Sequence, residues 1–192
     1  MLLDLLIVLA FAATPDVDDA ALAQAIREGD HRAFRVFFDR YHAALLGYLG
    51  RRKVPPAAAE DLVQKAFIYI WTHRADIDPE KSLRAYLFRI AYTRALNHFR
   101  DTAKFDRDAE LSTLPLTTNV GDAAEQALLQ EALDAAIAAL PERRRAVFEL
   151  CFLQELTYKE AAAALEVSVK TVENQMGYAF KALRQALAAF RA

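Results

Sequence analysis

Between residues 81 and 100 the cations Lys81, Arg84, Arg89, Arg94 and Arg100 follow one another with no carboxylate among them. Such a run can neutralise phosphates. On a helix of ~3.6 residues per turn, the steps of ten from Arg84 to Arg94 and of eleven from Arg89 to Arg100 nearly repeat, so the cations are expected to form a stripe along one nucleic-acid backbone. Tyr86, Phe88 and Tyr92 interleave with it. Aromatic faces and cations together are what single-stranded DNA requires for stacking and charge compensation. The other reading makes the aromatics core and the arginines solvated surface. A second constellation lies near the end of the chain, where Lys170, Lys181, Arg184 and Arg191 face Glu173 alone from residue 167 onward. Thr171, Asn174 and Gln175 alternate there with apolar Val172, Met176 and Ala179. Asn and Gln side chains can pair with adenine, Lys with guanine or phosphate, and a carboxylate with the cytosine amino group.

Other chemistries are poorly provided for. The chain has no GxxxxGK phosphate loop, no paired cysteine ligands and no HExxH, and Asp61, Asp76 and Asp78 have no base or metal partner in their vicinity. Its four histidines are scattered. No cofactor or metal is expected, and Cys151 and Met176 read as core. With one cysteine in 192 residues there is no internal disulfide, which favours a reducing compartment. The net charge of -2 seems at odds with nucleic-acid binding only while the sum is used in place of the distribution.

These residues need helices to hold them. Five glycines and a 55% hydrophobic composition rich in Ala and Leu predict an all-α chain. From residue 16, with Asp18 or Asp19 as cap, Leu22, Ile26, Phe34, Phe37, Phe38, Tyr41, Leu45 and Tyr48 recur at three- and four-residue steps, broken and restarted at Gly29-Asp30. Pro55-Pro56 closes a basic turn, and a helix from Ala59 to Trp71 follows with Leu62, Val63, Ala66, Phe67 and Ile70 inward. Asp78-Pro79 marks a connector, Ser82 can cap, and the cationic helix is expected from Leu83 to about Arg100. Residues 101–122 lose periodicity and read as a flexible linker between two small helical domains, 16–100 and 123–190. In the second, helices are expected from Ala123 to Ala139 and from Pro141 to about Leu153. Thr157 with Glu160 three residues on then forms a capping box ahead of Tyr158 to Leu165, and a turn at Glu166, Val167 and Ser168 leads into a helix from Val169. That is helix-turn-helix spacing. Residues 1–13 are apolar but shorter than the ~18 residues a membrane span needs, with Asp4 inside them and no cation before Arg27. They read as a short packed helix or an extension, and the protein as cytoplasmic.

Taken together, Ala59–Trp71, Ser82–Arg100 and Leu156–Arg184 resemble, in this order, three segments of the extracytoplasmic-function (ECF) RNA polymerase sigma factors with regions 2 and 4. The resemblance covers nearly all of the chain after residue 18. It implies core RNA polymerase and promoter DNA as partners, permits an anti-sigma protein, and implies neither enzyme activity nor membrane insertion. Position by position it assigns Asp61, Gln64, Lys65 and Ile68 to polymerase docking, with Leu62 and Phe67 packing. Arg84, Arg89 and Arg94 fall to the minus-ten strand, beside a base-capturing connector from Arg74 to Ser82. Lys170, Thr171, Glu173, Asn174, Gln175, Tyr178 and Lys181 fall to the minus-thirty-five element. Thr93, Asn97 and Glu173 depart from the family's usual Asn, Asp and basic residue. Two other readings fit the same residues: a helix-turn-helix regulator that is not a polymerase subunit, and a helical adaptor.

Overall fold

The computed structural model describes residues 17–105 and 122–188, and every regular element among them is helical. Residues 1–13 and most of the 101–122 linker, on which two of the sequence readings fall, lie outside the described residues.

Helix α1 (Val17–Arg27) stops at Gly29, whose φ of 90° suits a residue without Cβ. Asp30 restarts the chain as cap of α2 (His31–Arg51), accepting from the Arg32 and Ala33 amides at 2.7 and 3.3 Å. The sequence reading of Asp18 or Asp19 as the first cap does not hold. Helix α1 has already begun at Val17, and the Asp19 carboxylate instead accepts from Arg40 and from Tyr41 Oη, both at 3.0 Å, tying α1 to α2. Helix α3 (Pro56–Thr72) carries proline at its first position, where no amide is needed. A 3₁₀ turn at Arg74–Asp76 follows. Ser82 Oγ then accepts from the Ala85 amide at 3.1 Å and opens α4 (Leu83–Phe105). This helix runs five residues beyond Arg100, since neither Gly nor Pro interrupts residues 101–105 and Thr102 Oγ1 bonds back to the His98 carbonyl at 2.9 Å. Phe37, Leu45, Tyr48, Leu49, Val63, Ile70 and Leu87 are fully buried between these helices. Aromatic edges lock the packing, Phe37 on Phe67 at 5.6 Å and Tyr48 on Phe88 at 5.5 Å.

The second unit comprises α5 (Asp122–Ala138), α6 (Glu142–Phe148) with a wider π turn at Glu149–Leu153, α7 (Tyr158–Leu165) and α8 (Val169–Ala186). Residues 146 to 151 are all buried, so this stretch crosses the core with no solvent face, and a carboxylate, Glu149, sits within it. The capping box is formed: Thr157 Oγ1 accepts from the Glu160 amide at 3.2 Å and Glu160 Oε2 accepts from the Thr157 amide at 2.8 Å. Ser168 caps α8 through the Thr171 amide at 3.0 Å. Between them Glu166 takes a left-handed backbone, φ 55°.

The two helical clusters pack on each other. Helix α4 lies along α7, whose buried Ala161, Ala162 and Ala164 allow a close approach, and one continuous apolar core runs through both units.

Candidate nucleic-acid and docking surfaces

On α3 the positions 61, 64, 65 and 68 fall on one face at helical spacing. Asp61, Gln64, Lys65 and Ile68 are all exposed, while Leu62, Val63, Ala66, Phe67 and Ile70 are buried behind them. Lys65 Nζ reaches Asp61 at 2.7 Å, four residues back. Ile68 is 61% exposed, a large apolar side chain held in water between polar neighbours. That combination of an apolar centre and a charged rim suits a protein partner more than a nucleic acid.

The three arginines of α4 are not gathered into a single line. Steps of five residues turn each about 140° from the last. Arg94 therefore lies against α3, its guanidinium 5.7 Å from the Tyr69 ring, and Tyr69 stacks on His73 at 4.0 Å. Arg84 and Arg89 point to the second unit: Arg84 donates to the Glu155 carbonyl and Arg89 pairs with the Glu166 carboxylate. The interleaved aromatics also separate. Phe88 is 1% exposed and belongs to the core, so it cannot stack on a base. Tyr92 is half-buried beneath the Arg52 guanidinium, 5.2 Å from its ring. Tyr86 keeps partial exposure beside Tyr69, so the accessible aromatic surface at this end is Tyr69, His73 and Tyr86 with Arg94, and two of these four come from α3 and its C-cap.

The helix α8 presents a clean division. Val172, Met176, Ala179 and Leu183 are buried, whereas Lys170, Thr171, Glu173, Asn174, Tyr178 and Lys181 are exposed and Gln175 is half-exposed. All seven expected residues thus have access to solvent at one surface. Glu173 Oε2 lies 3.0 Å from Lys170 Nζ and neutralises the leading cation. The Tyr178 ring is 56% exposed and backed by the Arg144 guanidinium at 5.3 Å.

Sequence reasoning missed Arg144 and Arg52. The run Arg143, Arg144, Arg145 gave a signal for the first, since three cations at a helix start exceed what capping needs. Arg52 belongs to the basic turn before Pro55-Pro56, and its side chain is wholly buried. Its signal was on the partner: Glu149 stands between Phe148 and Leu150 in an otherwise apolar run. Burial pushes the Glu149 carboxyl above the usual range, against the opposing pull of Arg52 and Arg145. Among the described residues no group of three or more His, Cys, Asp or Glu could hold a metal ion, and no helix is long and apolar enough to cross a membrane.

Comparison with known proteins adds independent observations. Residues 37–105 match the family model Sigma-70 region 2, and residues 130–183 match Sigma-70, region 4. The RNA polymerase sigma factor CnrH of Cupriavidus metallidurans is 33% identical over 175 residues, covering 86% of this chain and 92% of the relative. The ECF RNA polymerase sigma factor RpoE of Cereibacter sphaeroides is 29% identical over 174 residues, covering 88% and 94%. The solved structure of CnrH in complex with the cytosolic domain of CnrY superposes with a TM-score of 0.65, at 30% identity, over 90% of this chain and 98% of that one.

Proposed function

The chain belongs to the sigma-70 family as an ECF sigma factor, a non-enzymatic subunit that binds RNA polymerase and recognises promoter elements, and from that premise we propose which of its residues do each part of the work. Asp61, Gln64, Lys65 and Ile68 dock α3 on core polymerase, an assignment supported by their shared exposed face. Arg84, Arg89 and Arg94 hold the separated minus-ten strand, with the connector from Arg74 to Ser82 taking a flipped base; extruding one costs a few kcal/mol, which stacking must offset. On α8, Lys170, Thr171, Glu173, Asn174, Gln175, Tyr178 and Lys181 read the minus-thirty-five duplex from the major groove. The units 16–100 and 123–190 act as the two promoter-reading domains, joined by residues 101–122. The protein works in the cytoplasm. An anti-sigma protein restrains it, a reading supported by the CnrH relative having been solved with the cytosolic domain of CnrY.

The observation that carries the proposal is the co-occurrence in one chain of a docking face on α3 and a capped, polar-faced helix α8. Transcription from genomic promoter fragments with purified core polymerase tests it. Transcripts that require the added protein are expected, and replacing Arg84, Arg89 and Arg94 by alanine should reduce open-complex formation at least ~10-fold, by loss of phosphate contacts, while core binding is retained. Equal loss of both would remove their minus-ten role. Failure to bind core polymerase, together with tight binding to a duplex by the isolated chain, would turn the assignment towards a regulator outside the polymerase.

A further inference from the structure

We propose that the minus-thirty-five surface carries a seat for one DNA phosphate, built from the Arg144 guanidinium of α6, the Tyr178 ring that orients it and the bare backbone at Gly177. The seat rests on the reading of α8 above as the helix that enters the major groove, and it places backbone-binding charge on α6, outside that helix.

Arg143, Arg144 and Arg145 follow Glu142 in α6, and at about 100° per residue their side chains diverge. Arg145 turns to Glu142 and Glu149, at 2.6 and 3.8 Å. Arg143 is exposed. Arg144 lies over α8, its guanidinium 5.3 Å from the centre of the Tyr178 ring, and has no carboxylate or carbonyl partner among the described residues. Its Nε is shielded from solvent and unbonded. Of the arginines that lie over aromatic rings among the described residues, Arg52 also meets carboxylates and Arg74 a carbonyl, whereas Arg94 and Arg144 have the ring alone. A half-buried cation without a counter-charge is left for an anion to complete. For Arg94 that anion is the minus-ten strand assigned to it above. For Arg144 it is the duplex beside α8.

The place of Arg144 suits that role. Tyr178 shares one face of α8 with Thr171, Asn174 and Lys181, at steps of three, four and three residues. Lys170, at the head of the helix, is neutralised by Glu173 at 3.0 Å, so charge for the DNA backbone has to come from Lys181 and from outside α8. Stacking on the Tyr178 ring fixes the plane of the Arg144 guanidinium, while its in-plane Nη donors stay available to two phosphate oxygens. A long side chain held in place beforehand also loses less freedom on binding.

Gly177 is an independent sign that another molecule comes close at this point. It sits in the middle of α8 on the exposed side, its φ is not positive, and a Cβ added there would meet nothing within 4 Å. Neither the helix nor its packing calls for glycine, which is a much poorer helix former than alanine. A bare backbone immediately before Tyr178 lets a sugar-phosphate strand lie directly on the helix, beside the ring and the guanidinium that covers it.

The test uses holoenzyme reconstituted from the full chain and core polymerase, titrated over a salt series with a fluorescent duplex promoter fragment that it transcribes and with an unrelated duplex. Arg144→Gln should weaken binding to both duplexes alike, by at least ~5-fold in ~0.1 M salt, and lower the slope of log K against log salt by about one. Tyr178→Leu should lose as much, and the double variant should lose less than about twofold more than either, because ring and cation act as one unit. Gly177→Ala should unfold at higher denaturant than the parent, yet bind both duplexes at least about threefold more weakly, an opposition that a purely structural role does not produce. It also serves where Arg144→Gln loses its helical circular dichroism. An unchanged slope in folded Arg144→Gln overturns the phosphate contact. A Gly177→Ala chain that is more stable but binds as the parent does overturns the close approach. Asn174→Ala separates the seat from the reading beneath it. If Asn174→Ala changes the preferred upstream sequence while Arg144→Gln alters nothing, the seat alone fails; if neither variant alters binding or preference, α8 does not read the element and both fail.

Discussion

Glu173 is the residue of the recognition surface whose charge is of the wrong sign for phosphate, and its contact with Lys170 at 3.0 Å defines what it does there. The pair leaves the first turn of α8 neutral, so affinity at this end depends on polar contacts to bases more than on the DNA charge. In the reconstituted holoenzyme, Glu173→Gln should therefore strengthen binding to any duplex and steepen the dependence of log K on log salt by about one, while discrimination at the contacted base pair falls by roughly 1–3 kcal/mol. Anisotropy titrations across a salt series check both; an unchanged slope would mean that Lys170 makes no phosphate contact. Phe88 and Tyr86 give the complementary case in α4. Phe88 is buried against Tyr48, so Phe88→Ala should lower urea stability by about 3–5 kcal/mol, whereas Tyr86→Ala should change stability little and act on strand separation. Their types and spacing alone did not separate them, since an aromatic among arginines serves either role. What decides is the helical phase relative to Tyr48, which depends on a contact forty residues away.

At the scale of elements, caps were the most legible features, because a capping interaction spans three residues and needs no tertiary contact. Thr157 with Glu160, and Ser82 before α4, perform as their spacing implies; the first cap failed because Asp19 has a tertiary partner in Tyr41, whose hydroxyl is pushed up to about 12 chiefly by burial and then by Asp19. The Glu160 side chain does two jobs. Burial raises its carboxyl, but the hydrogen bonds from Ser82 and from Thr157 outweigh this and hold it below its ordinary 4.5. A carboxyl depressed in the folded state stabilises above its unfolded value and loses that contribution as pH falls through the folded value. Glu160→Gln should accordingly cost about 1 kcal/mol near neutral pH, the worth of a cap, and the gap between parent and variant should close as pH falls through the depressed folded-state value of the carboxyl. Denaturant melts at several pH values test this, and a gap independent of pH would mean that the ionised carboxylate is not what caps α7.

For the whole molecule, two helical units were readable because the loss of periodicity after α4 is a local property of the sequence, whereas their docking was not, since it depends on matching Arg52 to carboxylates ninety or more residues away. The global charge of -2 concealed the same arrangement: basic side chains of one unit face acidic ones of the other, so the sum cancels where the surfaces meet. Docking has a thermodynamic consequence. A unit as small as residues 122–188 buries only about 60% of its unfolded surface and is marginal alone, yet its core here is continuous with that of the first unit. The full chain should then melt in one calorimetric transition, with van't Hoff and calorimetric enthalpies equal. Removing the Glu149 charge uncouples the cores, and Glu149→Gln should resolve two transitions, the lower belonging to α5–α8. Because the Arg52 contact is buried, ~0.5 M salt should leave the parent's single transition in place, as screening acts mainly on exposed pairs such as Arg89 with Glu166. Two transitions in the parent chain would mean that the units are stabilised independently and that the interface carries no cooperative energy, whereas a single transition in the Glu149→Gln variant would mean that the coupling does not depend on the Glu149 charge.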